Sequence, residues 1–161
     1  MEIYLDNCST TKTKDEVIDE MIYYLKEDYG NPSSLHRMGH KVEKKIEGVR
    51  EKISNFLKVN KEEIYFTSGG TESNNLAIQG IVNKYNRKGK HIISTNIEHP
   101  SVLNILKHYE SLGYEITYLK VDNRGFISLE ELRNALREDR ISLFSCSVRT
   151  ALFKIKFGKR D

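Results

Sequence analysis

The chain has 161 residues, 38% apolar and 30% charged, enough for one domain that buries about 70% of its unfolded surface if it folds alone. A net charge of +3 is too small to indicate a nucleic-acid partner, and no apolar run reaches the ~20 residues of a membrane span. Cys8 and Cys146 make neither a disulfide framework nor a metal-binding spacing, and residues 1–6 lack the basic start and apolar run of a signal peptide, so the expected setting is cytoplasmic.

Residues 1–14 read as a short extended segment and a polar turn. Residues 15–28 follow with Ile18, Met21, Ile22 and Leu25 at helical spacing. Tyr29-Gly30-Asn31-Pro32-Ser33-Ser34 breaks that helix. A longer helix is expected over 35–57, where Val42, Ile46, Val49, Ile53 and Phe56 alternate steps of four and three. Glu63-Ile64-Tyr65-Phe66-Thr67 is β-branched and aromatic, the composition of a buried strand.

Gly69 and Gly70 then remove side chains where a sharp turn is expected, and Thr71 or Ser73 can cap the next helix. Strand, glycine turn and helix start together aim backbone N–H groups and the positive end of a helix dipole at one point, a setting that favours an anion. No lysine follows Gly70 as a Walker loop requires, and no G-x-G-x-x-G run is present. A bare Gly-Gly is more often just a tight connection, so the glycines alone do not assign a ligand.

Beyond this point strands and helices alternate: strands over 92–95, 114–121 and 141–144, helices over 101–112 and 129–137. The fold class is α/β, a mainly parallel sheet with flanking helices. The basic cluster Lys84, Arg87, Lys88 and Lys90 reads as a solvated loop without interleaved aromatics. Residues 122–132 mimic half of a calcium loop, but Lys120 and Arg124 would stand at ligand positions. A turn leading to a Ser128–Glu131 capping box is the better account. His36 and His40 lie one helical turn apart with no third metal ligand evident, so an exposed helix face is favoured.

The run Phe66-Thr67-Ser68-Gly69-Gly70-Thr71-Glu72-Ser73-Asn74-Asn75 resembles the phosphate-cradling segment of cysteine desulfurases, in the class V aminotransferase group of pyridoxal-phosphate enzymes. Three further strings match in the family's order: Tyr4-Leu5-Asp6-Asn7 with Ser9-Thr10-Thr11, Gly30-Asn31-Pro32-Ser33-Ser34-Leu35-His36, and Glu98-His99-Pro100-Ser101-Val102. The resemblance covers residues 3–144 and implies a truncated large domain of a fold-type-I enzyme. Residues 1–14 would correspond to a small-domain segment and residues 15–144 to a partial cofactor-binding large domain. The backbone around Gly70 and the backbone and hydroxyl of Thr71 would hold the phosphate of pyridoxal 5'-phosphate. His99 would stack on the pyridine ring and pass protons.

In intact relatives L-cysteine becomes L-alanine and the sulfur passes to an enzyme persulfide, then to acceptor proteins for iron–sulfur cluster or thiolation pathways; the family works as homodimers. The lysine that holds the cofactor, the acid paired to its ring nitrogen and the nucleophilic cysteine lie, in the family, beyond the matched region. Against the family pattern Cys8 is not placed as that nucleophile, and Cys146 lies in unmatched sequence. After Phe144 the pattern stops, and residues 145–161 are expected to be an out-of-frame basic tail. The chain alone is therefore expected to be inactive and to bind the cofactor at millimolar strength or weaker, on the order of 4 kcal/mol or less. Two other readings stay open. One is a non-catalytic module that docks on a full-length relative. The other is a different class V reaction, which the Gly-Asn-Pro-Ser-Ser and Gly-Gly-Thr-Glu-Ser-Asn-Asn strings disfavour.

Overall fold

A computed structural model describes residues 3–7 and 9–137, and the backbone of 140–143. Cys8, Cys146 and the tail expected at 145–161 lie outside the described residues. The chain divides into two compact units, Met1–Phe66 and Thr67–Asp161.

The first unit is helical. Helix α1, Asp15–Lys26, carries Asp15 and Glu16 in its first turn and Lys26 in its last, each matched to the helix dipole. Its apolar stripe forms as expected but is not buried: Met21 is 57% exposed and Leu25 75%. Helix α2, Arg37–Leu57, starts two residues later than its apolar pattern suggests, because His36 serves as the N-cap and accepts the Gly39 N–H at 3.3 Å. The preceding loop is closed by Asn31, whose side chain accepts the Ser33 N–H and whose carbonyl accepts that of Ser34. A Cβ at Gly39 would come within 2.3 Å of the Ser34 carbonyl oxygen and 2.6 Å of that of Asn31. Only glycine lets this loop lie directly on the first turn of α2.

Asp28 ties the two helices together. Its buried carboxylate receives Lys41 and Lys45, each at 2.5 Å, and the Lys45 ammonium also lies 4.9 Å from the ring centres of Tyr23 and Tyr24. These two lysines hold the Asp28 carboxyl down to about 2.

The strand expected over 63–67 does not form. Glu63 closes a 3-10 turn, Lys61–Glu63, held by a capping box with Asn60. Ile64 is extended, but no strand pairs with residues 64–66 among the described residues, and Tyr65 is 72% exposed. Extended backbone without a ladder partner leaves its polar groups to water or side chains. Here the Arg50 guanidinium donates to the Ile64 carbonyl and covers the Phe66 ring.

The second unit is the α/β part. Helix α3, Gly70–Tyr85, leads to β1, His91–Thr95; α4, Pro100–Ser111, leads to β2, Glu115–Leu119; α5, Leu129–Ala135, leads to β3, Arg140–Leu143. The sheet order is β2-β1-β3 and both pairings are parallel, with Ile92 opposite Ile116 and Ile93 opposite Thr117. Strand β1 is central and wholly buried, with His91, Ser94 and Thr95 buried beside the apolar Ile92 and Ile93. Ile78 and Val82 of α3, Ile92 of β1, and Val102, Ile105, Leu106 and Tyr109 of α4 form one core cluster.

Ser128 caps α5 by accepting the Glu131 N–H, as its spacing predicts. Before it, Asp122 accepts the N–H groups of Arg124 and Phe126, and Gly125 takes the positive φ of +85° that this turn requires. The basic cluster corrects its sequence reading: Tyr85 is interleaved in it, with Lys84 and Lys88 at 5.5 and 5.2 Å from the ring centre. No helix among the described residues is long and apolar enough to cross a membrane.

Candidate functional site

The start of α3 differs from its sequence reading in a useful way. Thr71 and Ser73 are not the cap. The helix begins at Gly70, Gly69 stands at the N-cap position in an extended conformation, and among the described residues no side chain caps it. The first N–H groups of a helix lack intrahelical partners, so this end is left open to an external acceptor. A Cβ at Gly69 or Gly70 would meet nothing within 4 Å. Among the described residues neither glycine is needed for a left-handed turn or for close packing, and each leaves room beside the helix terminus.

Around that space the side chains are engaged with one another. Thr67 and Ser73 hydroxyls lie 2.6 Å apart, and Ser73 Oγ also donates to the Gly69 carbonyl at 3.2 Å. Glu72 folds back on Ser68, accepting its N–H at 2.7 Å and its hydroxyl at 2.6 Å. The Ser68 hydroxyl, then its backbone N–H, hold the Glu72 carboxyl below the usual carboxylate range. An anionic side chain in the first turn of α3 is thereby tethered to the loop before the helix.

The second motif follows β1. Thr95, at the carboxyl end of the strand, donates to the buried carboxylate of Glu98 at 2.7 Å. His99, exposed, is the N-cap of α4, with Pro100 at the first helical position. His99 Nδ1 accepts the Ser101 N–H at 3.1 Å and lies 2.8 Å from Ser101 Oγ. Ser101 is buried, and its hydroxyl receives the Asn74 side-chain amide at 2.8 Å. Asn74 belongs to the second turn of α3. A three-residue hydrogen-bond chain therefore runs from the helix that carries Gly70 and Thr71 to the histidine that follows β1.

The structure thus brings the Gly70–Thr71 helix start and His99 onto two neighbouring helix N-termini of one unit. Ligands of parallel sheets collect at the carboxyl ends of strands, and His99 follows such an end directly. Asn74 and Ser101 carried no role in the sequence reading. Both sit inside the quoted motifs, but nothing in their spacing along the chain shows that they meet across 27 positions.

The remaining histidines are placed elsewhere. His36 caps α2, His40 pairs with Glu43 at 3.0 Å, and buried His91 bonds Thr117 through Nε2 at 2.7 Å. Among the described residues no group of three His, Cys, Asp or Glu side chains is arranged to hold a metal ion.

Residues 3–153 match the family described as Aminotransferase class-V. Over 140 residues the chain is 49% identical to the cysteine desulfurase IscS of Dictyoglomus turgidum, which accounts for 87% of this chain and 36% of that protein. Over 139 residues it is 47% identical to the cysteine desulfurase IscS of Methanosarcina thermophila, covering 86% and 34%. Among solved structures it superposes on a NifS-like protein with a TM-score of 0.85 at 39% identity, covering 90% of this chain and 40% of the other. It also superposes on SspA in complex with cysteine with a TM-score of 0.79 at 33% identity, covering 86% and 40%. The chain spans about a third of the length of these curated relatives.

Proposed function

The chain belongs to the aminotransferase class-V family, and on that premise we propose that it is the phosphate-holding portion of a pyridoxal-phosphate-dependent cysteine desulfurase. The observation that carries the proposal is the uncapped, open start of α3 joined through Asn74 and Ser101 to His99. Backbone N–H groups at Gly70 and Thr71, with the Thr71 hydroxyl, fit a phosphate dianion at the positive end of the helix. The exposed imidazole of His99 fits the flat face of a pyridine ring. The Ser68 tether on Glu72 supports the same assignment, because it occupies that carboxylate on the loop side of the helix start.

When bound, pyridoxal phosphate supplies an electron sink for the amino-acid α-carbon. The residues of this chain would bind the phosphate, orient the ring and hold a proton at His99 Nε2. Residues 67–73 and 95–101 contain no lysine and no cysteine, so what they fit is the phosphate and ring-face end of the cofactor, and no covalent step is assigned to them. For the whole enzyme the net reaction is L-cysteine plus an enzyme thiol giving L-alanine plus an enzyme persulfide, whose outer sulfur passes to acceptor proteins. Such thiol chemistry suits a reducing compartment, so the proposed setting is the cytoplasm, with the whole enzyme a homodimer as the family resemblance implies.

Titrating the full chain with pyridoxamine 5'-phosphate and with pyridoxamine, followed by changes in amide resonances, tests the assignment. Saturable binding on the order of millimolar is expected for the phosphate ester only, centred on the Gly70 and Thr71 amides. Thr71→Ala should weaken it by about tenfold, the loss of one charge-assisted hydrogen bond. Equal responses to both compounds, or shifts scattered over the surface lysines, would overturn it.

A further inference from the structure

Resting on the reading of His99 above, we infer that Asn74 and Ser101 are positioning residues that fix the tautomer and ring setting of His99. A backbone N–H can only donate, so the Ser101 N–H at 3.1 Å requires that His99 Nδ1 carry no hydrogen. The neutral ring then bears its hydrogen on Nε2. The Ser101 hydroxyl, 2.8 Å from the same nitrogen, has one hydrogen to give, and Asn74 determines where it goes. With the Asn74 amide donating to Oγ, the acceptor side of the hydroxyl is used, and its hydrogen is directed to Nδ1.

Nδ1 therefore faces two donors, and Nε2–H is left on the exposed side of the ring with no partner among the described residues. The device is anchored at both ends. Ser101 is 7% exposed, so its hydroxyl is kept from water, and Asn74 is partly buried on α3. Its consequence is a histidine that presents a defined N–H on its exposed side, set by residues that need not touch the ligand. Second-layer partners fix histidine tautomers by the same logic.

The test is a long-range proton–nitrogen correlation spectrum of the 15N-labelled full chain at a pH where imidazole is neutral. In the wild type His99 is expected to show one unprotonated nitrogen, Nδ1, and one protonated nitrogen, Nε2, without averaging. Ser101→Ala removes one donor and should shift the tautomer ratio by about fivefold. Asn74→Asp keeps the shape of the side chain but can only accept, so it should draw the hydroxyl hydrogen away from Nδ1 and give a similar shift. Ser101→Thr should restore the wild-type pattern.

An averaged or Nδ1–H pattern in the wild type overturns the inference, as does an unchanged pattern in both Ser101→Ala and Asn74→Asp. If Ser101→Ala fails to fold, judged by loss of the β1 amide dispersion, Asn74→Asp and the wild type decide. Adding pyridoxamine 5'-phosphate separates this inference from the one it rests on. A locked tautomer whose signals ignore the ligand leaves the positioning intact and removes the cofactor role. Signals that respond without a locked tautomer do the reverse.

Discussion

Ile78, Val82, Ile92, Val102 and Leu106 of the second unit are at most 3% exposed and pack together across two helices and a strand. The described residues of the first unit bury Asp28, Gly39 and Ser54 and no apolar side chain at all. Both units carry amphipathic helices, so the difference does not lie in the pattern. It lies in whether a second apolar surface exists to receive the stripe. In the second unit α3 and α4 close on a central parallel strand. In the first, α1 and α2 are joined through a buried carboxylate, two lysines and two tyrosine rings, while Met21, Leu25 and Phe56 stay exposed. An apolar stripe predicts that a face will be covered; it does not say by what.

The largest expected effect breaks this contrast if it fails. Leu106→Ala deletes a side chain with no exposed surface and should cost about 2–5 kcal/mol in denaturant unfolding of the second unit. Phe56→Ala removes a larger side chain that is 84% exposed, and should stay within about 0.5 kcal/mol. A Phe56 effect as large as that of Leu106 would mean that the first unit buries a core in solution.

The polar joint of the first unit gives the second prediction. Asp28 is held at about 2, below its ordinary value of 3.8, chiefly by hydrogen bonds from Lys41 and then Lys45. A lowered carboxyl contributes stability that is fully present above the ordinary value and is lost as pH falls through the lowered one. Helix α2 should therefore lose order between about pH 4 and pH 2, followed by its amide resonances, and Asp28→Asn should remove that component of the acid transition. The partner lysines are raised, so their side of the joint is complete below about 10.5 and fails only above it. An acid profile identical in wild type and Asp28→Asn would show that the helices are held by something else.

What was legible in the sequence follows the same division. Period and breakers placed α1, α2, α4 and α5 to within a few residues and the start of α3, because helix formation is local and the Gly30–Ser34 string and Ser128 act within a turn of themselves. The parallel pairing was legible from alternation; the order β2-β1-β3 was not. The failure at residues 64–66 has a physical cause: aromatic and β-branched composition signals extended backbone, and Ile64 is extended, but a strand is a relation to a partner that these residues do not have among the described residues. At the site, Gly70, Thr71 and His99 were named from motif strings. The hydroxyl–amide chain through Ser101 and Asn74 was not, since a contact across two helices leaves no periodic trace. The cap was misplaced for a related reason. Threonine and serine are the commoner caps, yet here both lie inside the first turn and glycine holds the cap position.

The smallest expected effect compares two histidines that do the same local work. His36 and His99 both cap a helix by accepting a backbone N–H at Nδ1, from Gly39 at 3.3 Å and from Ser101 at 3.1 Å. His99 is backed by Ser101 and Asn74; among the described residues His36 has only the one bond. His36→Ala should then cost about 1 kcal/mol, the ordinary worth of an N-cap, seen as faster hydrogen exchange at the Gly39 amide and the first turn of α2. His36→Asn should recover most of it, since Asn is a better cap and needs no ring. If Asn fails to rescue, the imidazole of His36 has a role beyond its nitrogen, and the loop packed on Gly39 is where that role would have to act.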